Sequence, residues 1–212
     1  MIQVISFDVD GTLVDSSYAD VVWLKGVPLL YAEQYGVDFE TAQQIITKEY
    51  DRIGEEDIRW YQLGYWYNRF NLKGDYHVLL NTYKDRIRVY EEVFEVLDQL
   101  SRKYKLIVAS NAHKDFLSLT LSSIEQYFEH IFSATSDFGQ VGKYEEFYRK
   151  VLEYLQVNPG EMVHVGDHYV FDCEVPSKMG IHAFFLDRKE GKGLKNLKEF
   201  EDKVLELENL VR

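Results

Sequence analysis

Hydrophobic positions follow two patterns that alternate along most of the chain. Short apolar runs, rich in β-branched residues, are typical of buried strands. Such runs predict strands over Ile2–Phe7, Lys105–Ala109, Ile131–Ala134, Met162–Val165 and His182–Leu186. Between the runs, apolar residues recur at helical spacing, as they do in Glu91–Tyr104. Because strands alternate with helices, the pattern predicts an α/β fold with a parallel sheet covered on both faces.

The later helical segments have recognisable ends. Helices are predicted over Phe116–Tyr127, Glu145–Leu155 and Phe171–Met179. The second is followed by Asn158-Pro159-Gly160, and the third ends at Gly180. Since Pro and Gly interrupt helices, these residues mark boundaries between helix and strand.

One stretch of the chain departs from the alternation. Between Ser16 and Asn81 no strand pattern occurs. Helical periodicity predicts helices over Ala19–Tyr35, Phe39–Ile53, Glu55–Phe70 and Tyr76–Tyr83. Asp38 precedes the second of these and is a suitable N-cap. We therefore predict a helical domain over residues 16–82, inserted into a core made of residues 1–15 and 83–212.

Composition and charge narrow the classes of function. The 212 residues, 46% of them apolar, suffice for one core and a modest insertion. The formal net charge of −12 provides no basic footprint for nucleic acid and disfavours an anionic membrane surface. Cys173 is the only cysteine, and neither a membrane-length apolar run nor a secretory signal pattern is visible. We expect a cytoplasmic protein without nucleic-acid or membrane partners.

Two carboxylates directly follow the first strand, in the sequence Asp8-Val9-Asp10-Gly11-Thr12. Residues i and i+2 of an extended strand point to the same side, and Gly11 then permits a sharp change of direction. Open α/β sheets place their ligands at this edge. A polar turn is the alternative interpretation, but the paired acids favour a site for acid–base or cation chemistry.

Three further polar sets fall near the same predicted edge. They are Ser110 with Asn111, Lys143, and Asp167 with Asp172. A hydroxyl and nearby N–H groups can hold a phosphate oxygen, and a lysine at a helix start suits a bound anion. The two acids can ligate a cation or support its ligands. Each set alone is also consistent with a helix cap or a solvated side chain.

Taken together and in this order, the four sets resemble the motifs of the haloacid dehalogenase superfamily. The resemblance rests on Asp8-x-Asp10-Gly11-Thr12, Ser110, Lys143 and Gly166-Asp167 followed by Asp172. It covers the whole chain, because the helical insertion lies where this superfamily carries its type I cap. It implies a Rossmann-like parallel five-stranded sheet in the order 5-4-1-2-3 with an inserted α-helical cap.

The resemblance also implies residue roles. Asp8 would be the nucleophile and a Mg²⁺ ligand, and Asp10 the general acid/base with its main-chain carbonyl on the metal. Asp167 would bind the metal directly, and Asp172 directly or through water. The residues implied to bind phosphate are Thr12, Ser110, Asn111 and Lys143. Mg²⁺ and the Lys143 ammonium would offset the repulsion between a carboxylate and a phosphate dianion.

Asp10 helps to choose among reactions within the resemblance. Dehalogenases of the superfamily usually carry Tyr at this position and phosphonate-cleaving members carry Ala, so Asp10 favours phosphoryl transfer. We predict a Mg²⁺-dependent phosphatase that hydrolyses a small phosphorylated metabolite through an aspartyl-phosphate. A phosphomutase, which Thr12 disfavours, and a non-catalytic phosphate-binding module are the alternatives. The aromatic residues from Trp60 to Phe70 are expected mainly to pack the cap interior.

Overall fold

The computed structural model describes residues 1–211 and contains a sheet of five parallel strands. They are β1 Val4–Phe7, β2 Lys105–Ser110, β3 His130–Ser133, β4 Met162–Gly166 and β5 His182–Phe185. The strand order is β3-β2-β1-β4-β5, and every neighbouring pair is parallel. Read from the other edge, this is the predicted order 5-4-1-2-3, so the predicted α/β sheet is confirmed.

The central strand β1 brings the ends of its two neighbours level with its own. Phe7 pairs with Val108 of β2 and with Val165 of β4. The Asp8 N–H then donates to the Val165 carbonyl at 2.9 Å, so pairing continues one residue beyond β1. The segments that follow β1, β2 and β4 therefore emerge side by side.

Helices cover both faces of the sheet because strand residues alternate in direction. They are α6 Val93–Ser101, α7 Lys114–Thr120, α8 Ala134–Asp137, α9 Glu145–Leu155, α10 Val175–Lys178 and α11 Leu197–Val211. Ile5 and Phe7 pack in one hydrophobic cluster with α6 and α11, whereas Val4 packs in another with α9. None of the helices described in residues 1–211 is long and apolar enough to cross a membrane.

The chain between β1 and α6 is helical and contains no strand among its described residues, as predicted. Its elements are α1 Ser17–Val21, a π-helical turn Val22–Gly26, α2 Val27–Tyr35, α3 Phe39–Ile53, a 3-10 turn Ile58–Tyr61, α4 Leu63–Arg69, α5 Tyr76–Thr82 and a 3-10 turn Lys84–Arg86. The Asp38 carboxylate caps α3 by accepting from the Thr41 N–H at 2.8 Å. Trp66 is the largest fully buried side chain of this region.

Several predicted helices are interrupted. The prediction of one helix over Glu55–Phe70 is wrong, because Gln62 is extended between the 3-10 turn and α4. Phe116–Tyr127 is likewise divided into α7 and a 3-10 turn, Glu125–Tyr127. Phe171–Met179 instead comprises a π-helical stretch, Tyr169–Glu174, and α10. Pro176 lies in the first turn of α10, where the missing N–H is tolerated.

Candidate active site

The turn after β1 presents Asp8 and Asp10 at the sheet edge. The Thr12, Leu13 and Val14 N–H groups all donate to the Val9 carbonyl, at 2.8 to 3.1 Å. This tight turn lets the chain leave the sheet immediately after the acids. Asp8 is buried and Asp10 is partly buried, and both line one cavity.

Gly11 brings the β4 loop against this turn. Its φ of +77° lies in the left-handed region, which favours glycine. A Cβ atom at this position would also lie 2.0 Å from Asp167 Oδ2. Gly11 is therefore required both by the backbone conformation and by the close approach of the Asp167 carboxylate to the first motif.

Lys143 lies between two carboxylates at the base of the cavity. Its Nζ atom is 2.5 Å from Asp8 Oδ1 and 2.5 Å from Asp172 Oδ1, and it donates to the Ala109 carbonyl at 3.1 Å. All three charged side chains are buried. One ammonium group therefore holds the residue that follows β1 and the acid that follows β4 in a fixed arrangement.

Asp172 is held by more partners than Lys143 alone. His164 Nε2 lies 3.0 Å from Asp172 Oδ1, and the His168 N–H donates to Oδ2 at 3.0 Å. Because an ionised carboxylate only accepts, His164 Nε2 carries the proton and Nδ1 accepts from Ser6 Oγ at 2.9 Å. A Cβ atom on Gly166 would lie 2.3 Å from Asp172 Cγ, so this glycine provides the space for the carboxyl group.

The surroundings move the pKa values of these acids apart. Burial raises the pKa of Asp8 well above its usual range, against the attraction of Lys143. Burial and the Asp167 charge raise the pKa of Asp10 to about 6. Burial alone would raise the pKa of Asp172, but Lys143 and the hydrogen bond from His164 outweigh it and lower this pKa. Asp10 can therefore change its protonation state near neutral pH, whereas Asp172 stays ionised. A site that contains both kinds of carboxyl group suits proton transfer.

Asp167 occupies the open side of the acidic cluster. Although the residue is exposed overall, partial burial of its carboxyl group and the Asp172 charge raise its pKa. One carboxylate oxygen from each of Asp8, Asp167 and Asp172 lies within 4.8 Å of the others. Oxygen donors at this spacing are the ligand type that Mg²⁺ prefers, so the residues fit such an ion. The Asp172 carboxylate already accepts from three donors. Asp8 and Asp167 therefore have more carboxylate lone pairs available for a metal ion.

The predicted phosphate-binding residues differ in placement. Ser110 and Asn111 follow β2 and line the cavity. The Ser110 hydroxyl accepts from the Ala112 N–H at 3.1 Å, and Asn111 Oδ1 accepts from the Gly142 N–H at 2.8 Å. Thr12 is fully buried outside the cavity lining, and its Oγ1 has no hydrogen-bond partner within residues 1–211. Phosphate binding by the Thr12 side chain stays a prediction.

A cavity of about 610 Å³ opens over the acids and is lined from two sides. The sheet edge contributes its base, and the helical segment between β1 and α6 contributes residues that include Trp23, Trp60 and Tyr61. The Asn111 side chain is hydrogen-bonded to the Tyr61 hydroxyl, which opposes the rise that burial causes in the pKa of Tyr61. The Tyr76 hydroxyl also donates to Asp115 of α7, at 3.0 Å.

Sequence reasoning missed Arg188, which lies after β5. Its Nε and Nη2 donate to the Gly11 and Thr12 carbonyls at 3.2 and 2.8 Å. Nη1 pairs with Glu92 at 2.8 Å, and the guanidinium lies 3.6 Å from the centre of the Tyr90 ring. Arg188 therefore fastens the turn that follows the paired acids, although no local sequence pattern marks it.

The paired acids after the central strand and the buried lysine beside them lie at the carboxyl ends of a parallel sheet, which is where open α/β sheets bind ligands. Residues 2–180 match the family model of the haloacid dehalogenase-like hydrolases. The chain belongs to this family, so the predicted resemblance is confirmed.

Individual proteins similar to this chain include phosphatases. The chain is 26% identical to the glyceraldehyde 3-phosphate phosphatase of Pyrococcus furiosus, over 96% of this chain and 89% of that protein. It is 24% identical to the GMP/IMP nucleotidase YrfG of Escherichia coli K12, over 72% of this chain and 68% of that protein. The crystal structure of a HAD phosphatase from Thermococcus onnurineus superposes with a TM-score of 0.83 at 22% identity, covering 96% and 98% of the two chains, and this likeness supports the fold.

Proposed function

We propose that this hydrolase is a phosphatase that cleaves phosphate monoesters of small metabolites and depends on Mg²⁺. The observation that carries the proposal is the convergence of Asp8, Asp10, Lys143 and Asp167 on one cavity at the sheet edge. The phosphatases among its relatives support the same reaction class. Their substrates differ, so the relatives do not select one metabolite.

In the proposed reaction, an Asp8 carboxylate oxygen forms a bond to phosphorus while the ester P–O bond breaks. Asp10 gives its proton to the leaving alkoxide. Asp10 then takes a proton from water, whose oxygen attacks phosphorus and releases inorganic phosphate from Asp8. The pKa of Asp10, raised to about 6, supports this role because the group changes protonation state near neutral pH. Lys143 stabilises the negative charge at Asp8 and the phosphoryl group.

Asp8, Asp167 and the Asp10 main-chain carbonyl would hold the Mg²⁺ ion, with Asp172 acting directly or through water. When bound, the ion supplies positive charge opposite the phosphoryl oxygens. Replacing Asp167 by Asn removes one charged ligand, so we expect a several-fold higher Mg²⁺ concentration for half-maximal activity. An unchanged Mg²⁺ requirement in this variant would contradict the proposed role of Asp167 as a metal ligand.

We further propose that residues 16–82 act as a cap over a core of residues 1–15 and 83–212. Support comes from the cavity, which both regions line, and from the Tyr76–Asp115 hydrogen bond between them. Phe116 of α7 also packs into the hydrophobic cluster of the helical segment. Such a cover excludes bulk water while the phosphoenzyme exists.

The direct test is release of inorganic phosphate from p-nitrophenyl phosphate, with and without Mg²⁺. We expect Mg²⁺-dependent turnover by the natural chain and at least a ~1,000-fold loss in Asp8→Asn, because the nucleophile is removed. Asp51→Asn, which changes an exposed acid of α3, is the matched control and should retain full activity. Full activity in Asp8→Asn, or equal turnover with and without Mg²⁺, would contradict the proposal.

A phosphomutase is the second candidate, because it would use the same two acids. It predicts conversion of a sugar phosphate into its isomer with little free phosphate. Measuring isomer and phosphate in one assay therefore separates the two reactions. Binding of phosphate esters without any turnover would instead favour the non-catalytic module.

A further inference from the structure

The cavity differs in charge between its base and its cap side. Seven carboxylates and a single lysine line it, and that lysine, Lys143, is already paired with Asp8 and Asp172. Its other basic side chains are His113 and His168, which belong to the loops after β2 and β4. No arginine among residues 1–211 lines it. Any cation that receives phosphate is therefore at the sheet edge.

The cap side contributes three of the seven carboxylates, from Asp20, Glu55 and Glu56. All three residues are exposed. Asp20 accepts from the Ser16 hydroxyl at 2.6 Å, whereas Glu55 and Glu56 make no ion pair within residues 1–211. A second phosphate or carboxylate on the substrate would approach these uncompensated charges. Like charges brought together in this way weaken binding.

Three aromatic residues of the cap side and Phe116 of the core helix α7 also line the cavity. Trp23 stacks on Phe116 with ring centres 5.4 Å apart, and on Trp60 with ring centres 6.3 Å apart. Trp60 in turn contacts the Tyr61 ring edge to face at 5.1 Å. All four rings border the cavity. They form an apolar wall made of residues from both regions, and flat rings pack favourably against such walls.

The size of the cavity agrees with a substrate larger than a short sugar phosphate. Its volume of about 610 Å³ falls within the range of sites for cofactor-sized ligands. A three-carbon phosphate would leave the aromatic wall in contact with water. A ring-bearing alcohol would cover that wall and remove its apolar surface from solvent.

We infer that the preferred substrates are phosphate monoesters with one anionic group, the phosphate itself, and an aromatic ring on the alcohol. This inference rests on the proposed phosphatase activity and specifies its substrate class. The ring packs against Trp23, Trp60 and Phe116, while Asp20, Glu55 and Glu56 select against a second anion.

Three probes with the same leaving group test this substrate class. Adenosine 5′-monophosphate, ribose 5-phosphate and adenosine 3′,5′-bisphosphate all release a primary 5′ alkoxide, but they differ in ring or in charge. We expect kcat/KM for 5′-phosphate release from the monophosphate to exceed that of ribose 5-phosphate by about tenfold. We expect it to exceed that of the bisphosphate by about tenfold as well.

Cap variants then separate the two parts of the inference. The double variant Glu55→Gln with Glu56→Gln should reduce the penalty on the bisphosphate several-fold and leave the monophosphate rate within about twofold. The double variant Glu33→Gln with Asp51→Asn removes the same charge from exposed helix positions outside the cavity and should leave the penalty unchanged. Trp60→Leu should reduce the preference for the ring over ribose 5-phosphate. Thermal unfolding of each variant confirms that it is folded.

The outcomes distinguish this inference from the phosphatase proposal. If the natural chain hydrolyses p-nitrophenyl phosphate with Mg²⁺ but turns over all three probes equally, the substrate class is wrong and the phosphatase proposal stands. A bisphosphate penalty that persists in the Glu55 and Glu56 double variant would likewise overturn charge selection. No turnover of any phosphate ester would contradict the phosphatase proposal itself.

Discussion

The sheet edge and the helical segment face each other across one cavity, but they are built in opposite ways. At the sheet edge, three charged groups are buried and held by direct partners, since Lys143 pairs with Asp8 and Asp172 and donates to the Ala109 carbonyl. On the helical side, the rings pack on one another and the carboxylates of Glu55 and Glu56 are exposed. The first surface is therefore charged and buried, whereas the second is aromatic and carries exposed carboxylates.

This difference suggests a division of roles, in which the sheet edge carries out the reaction and the helical side determines which substrate is preferred. Buried ion pairs tolerate little change, because removing one partner leaves an uncompensated charge. Contacts among partly exposed rings and acids can change at small cost. We therefore expect substitutions at the sheet edge to reduce turnover or folding strongly, and substitutions on the helical side to change which substrate is preferred.

Apart from removal of the nucleophile, the largest effect is expected from Asp10→Asn, which removes the proposed proton donor and acceptor. We predict a fall in kcat of about 100- to 10,000-fold for an alkyl phosphate. The loss should be smaller for p-nitrophenyl phosphate, because its leaving group needs little protonation. Steady-state rates for both substrates, with Asp202→Asn as an exposed control, provide the test. Equal losses for the two substrates would contradict proton donation by Asp10.

Lys143→Met tests the buried ion pairs through folding. Without the ammonium, Asp8 and Asp172 remain buried without a cation, so we predict a loss of about 3–5 kcal/mol in the free energy of unfolding. The pKa of Asp172, which Lys143 lowers in the natural chain, then rises above its unfolded value, and the pKa of Asp8, already raised by burial, rises further. The loss is therefore smallest at acidic pH, where the carboxyl groups are protonated, and grows as the pH rises.

Denaturant unfolding in buffer free of divalent cations, at acidic and neutral pH, measures this change. Lys48→Met alters an exposed lysine of α3 and should shift the free energy of unfolding by less than about 0.5 kcal/mol. A Lys143→Met variant as stable as the natural chain at neutral pH would show that the buried pairs do not hold the sheet edge together.

Arg188→Met should have an intermediate effect, because Arg188 acts through the turn and not on the substrate. Losing its bonds to the Gly11 and Thr12 carbonyls should lower kcat about tenfold and change KM much less. Arg149→Met, which changes an exposed arginine of α9, is the control. A change confined to KM, or to thermal stability alone, would argue against a positioning role.

The smallest effect is expected from Tyr61→Phe, which removes a hydrogen bond between the two regions. One such bond contributes about 1 kcal/mol, so we predict a two- to fivefold change in kcat/KM, roughly the factor that this energy allows. Tyr154→Phe removes an exposed hydroxyl from α9 and serves as the control. A loss as large as that of Asp10→Asn would contradict the proposed contrast between the two regions.

Much of the sheet edge could be predicted from the sequence because its signals are local. Asp8 and Asp10 follow a buried apolar run, and parallel strands bring their ends together. The Ser6–His164 pair could also have been found, since the predicted order places β1 beside β4 and the two residues are partners in the register. Their polar side chains inside apolar runs were the available signal.

The remaining features depend on tertiary packing and left no local pattern. Arg188 reaches main-chain carbonyls 176 and 177 positions away, which no spacing rule anticipates. The expectation that the aromatic stretch packs the cap interior holds for Trp66, Tyr67 and Phe70, which are buried. Trp60 and Tyr61 instead border the cavity, because the extended residue Gln62 separates their turn from α4.

The central claim is that phosphate passes through Asp8. Acid quenching during turnover, followed by borohydride reduction, converts an acyl phosphate into an alcohol that peptide mass spectrometry can locate. We predict homoserine at position 8 in the natural chain and none in Asp8→Asn. Active enzyme that shows no modified residue at position 8, or a phosphorylated residue elsewhere, would contradict the proposed mechanism.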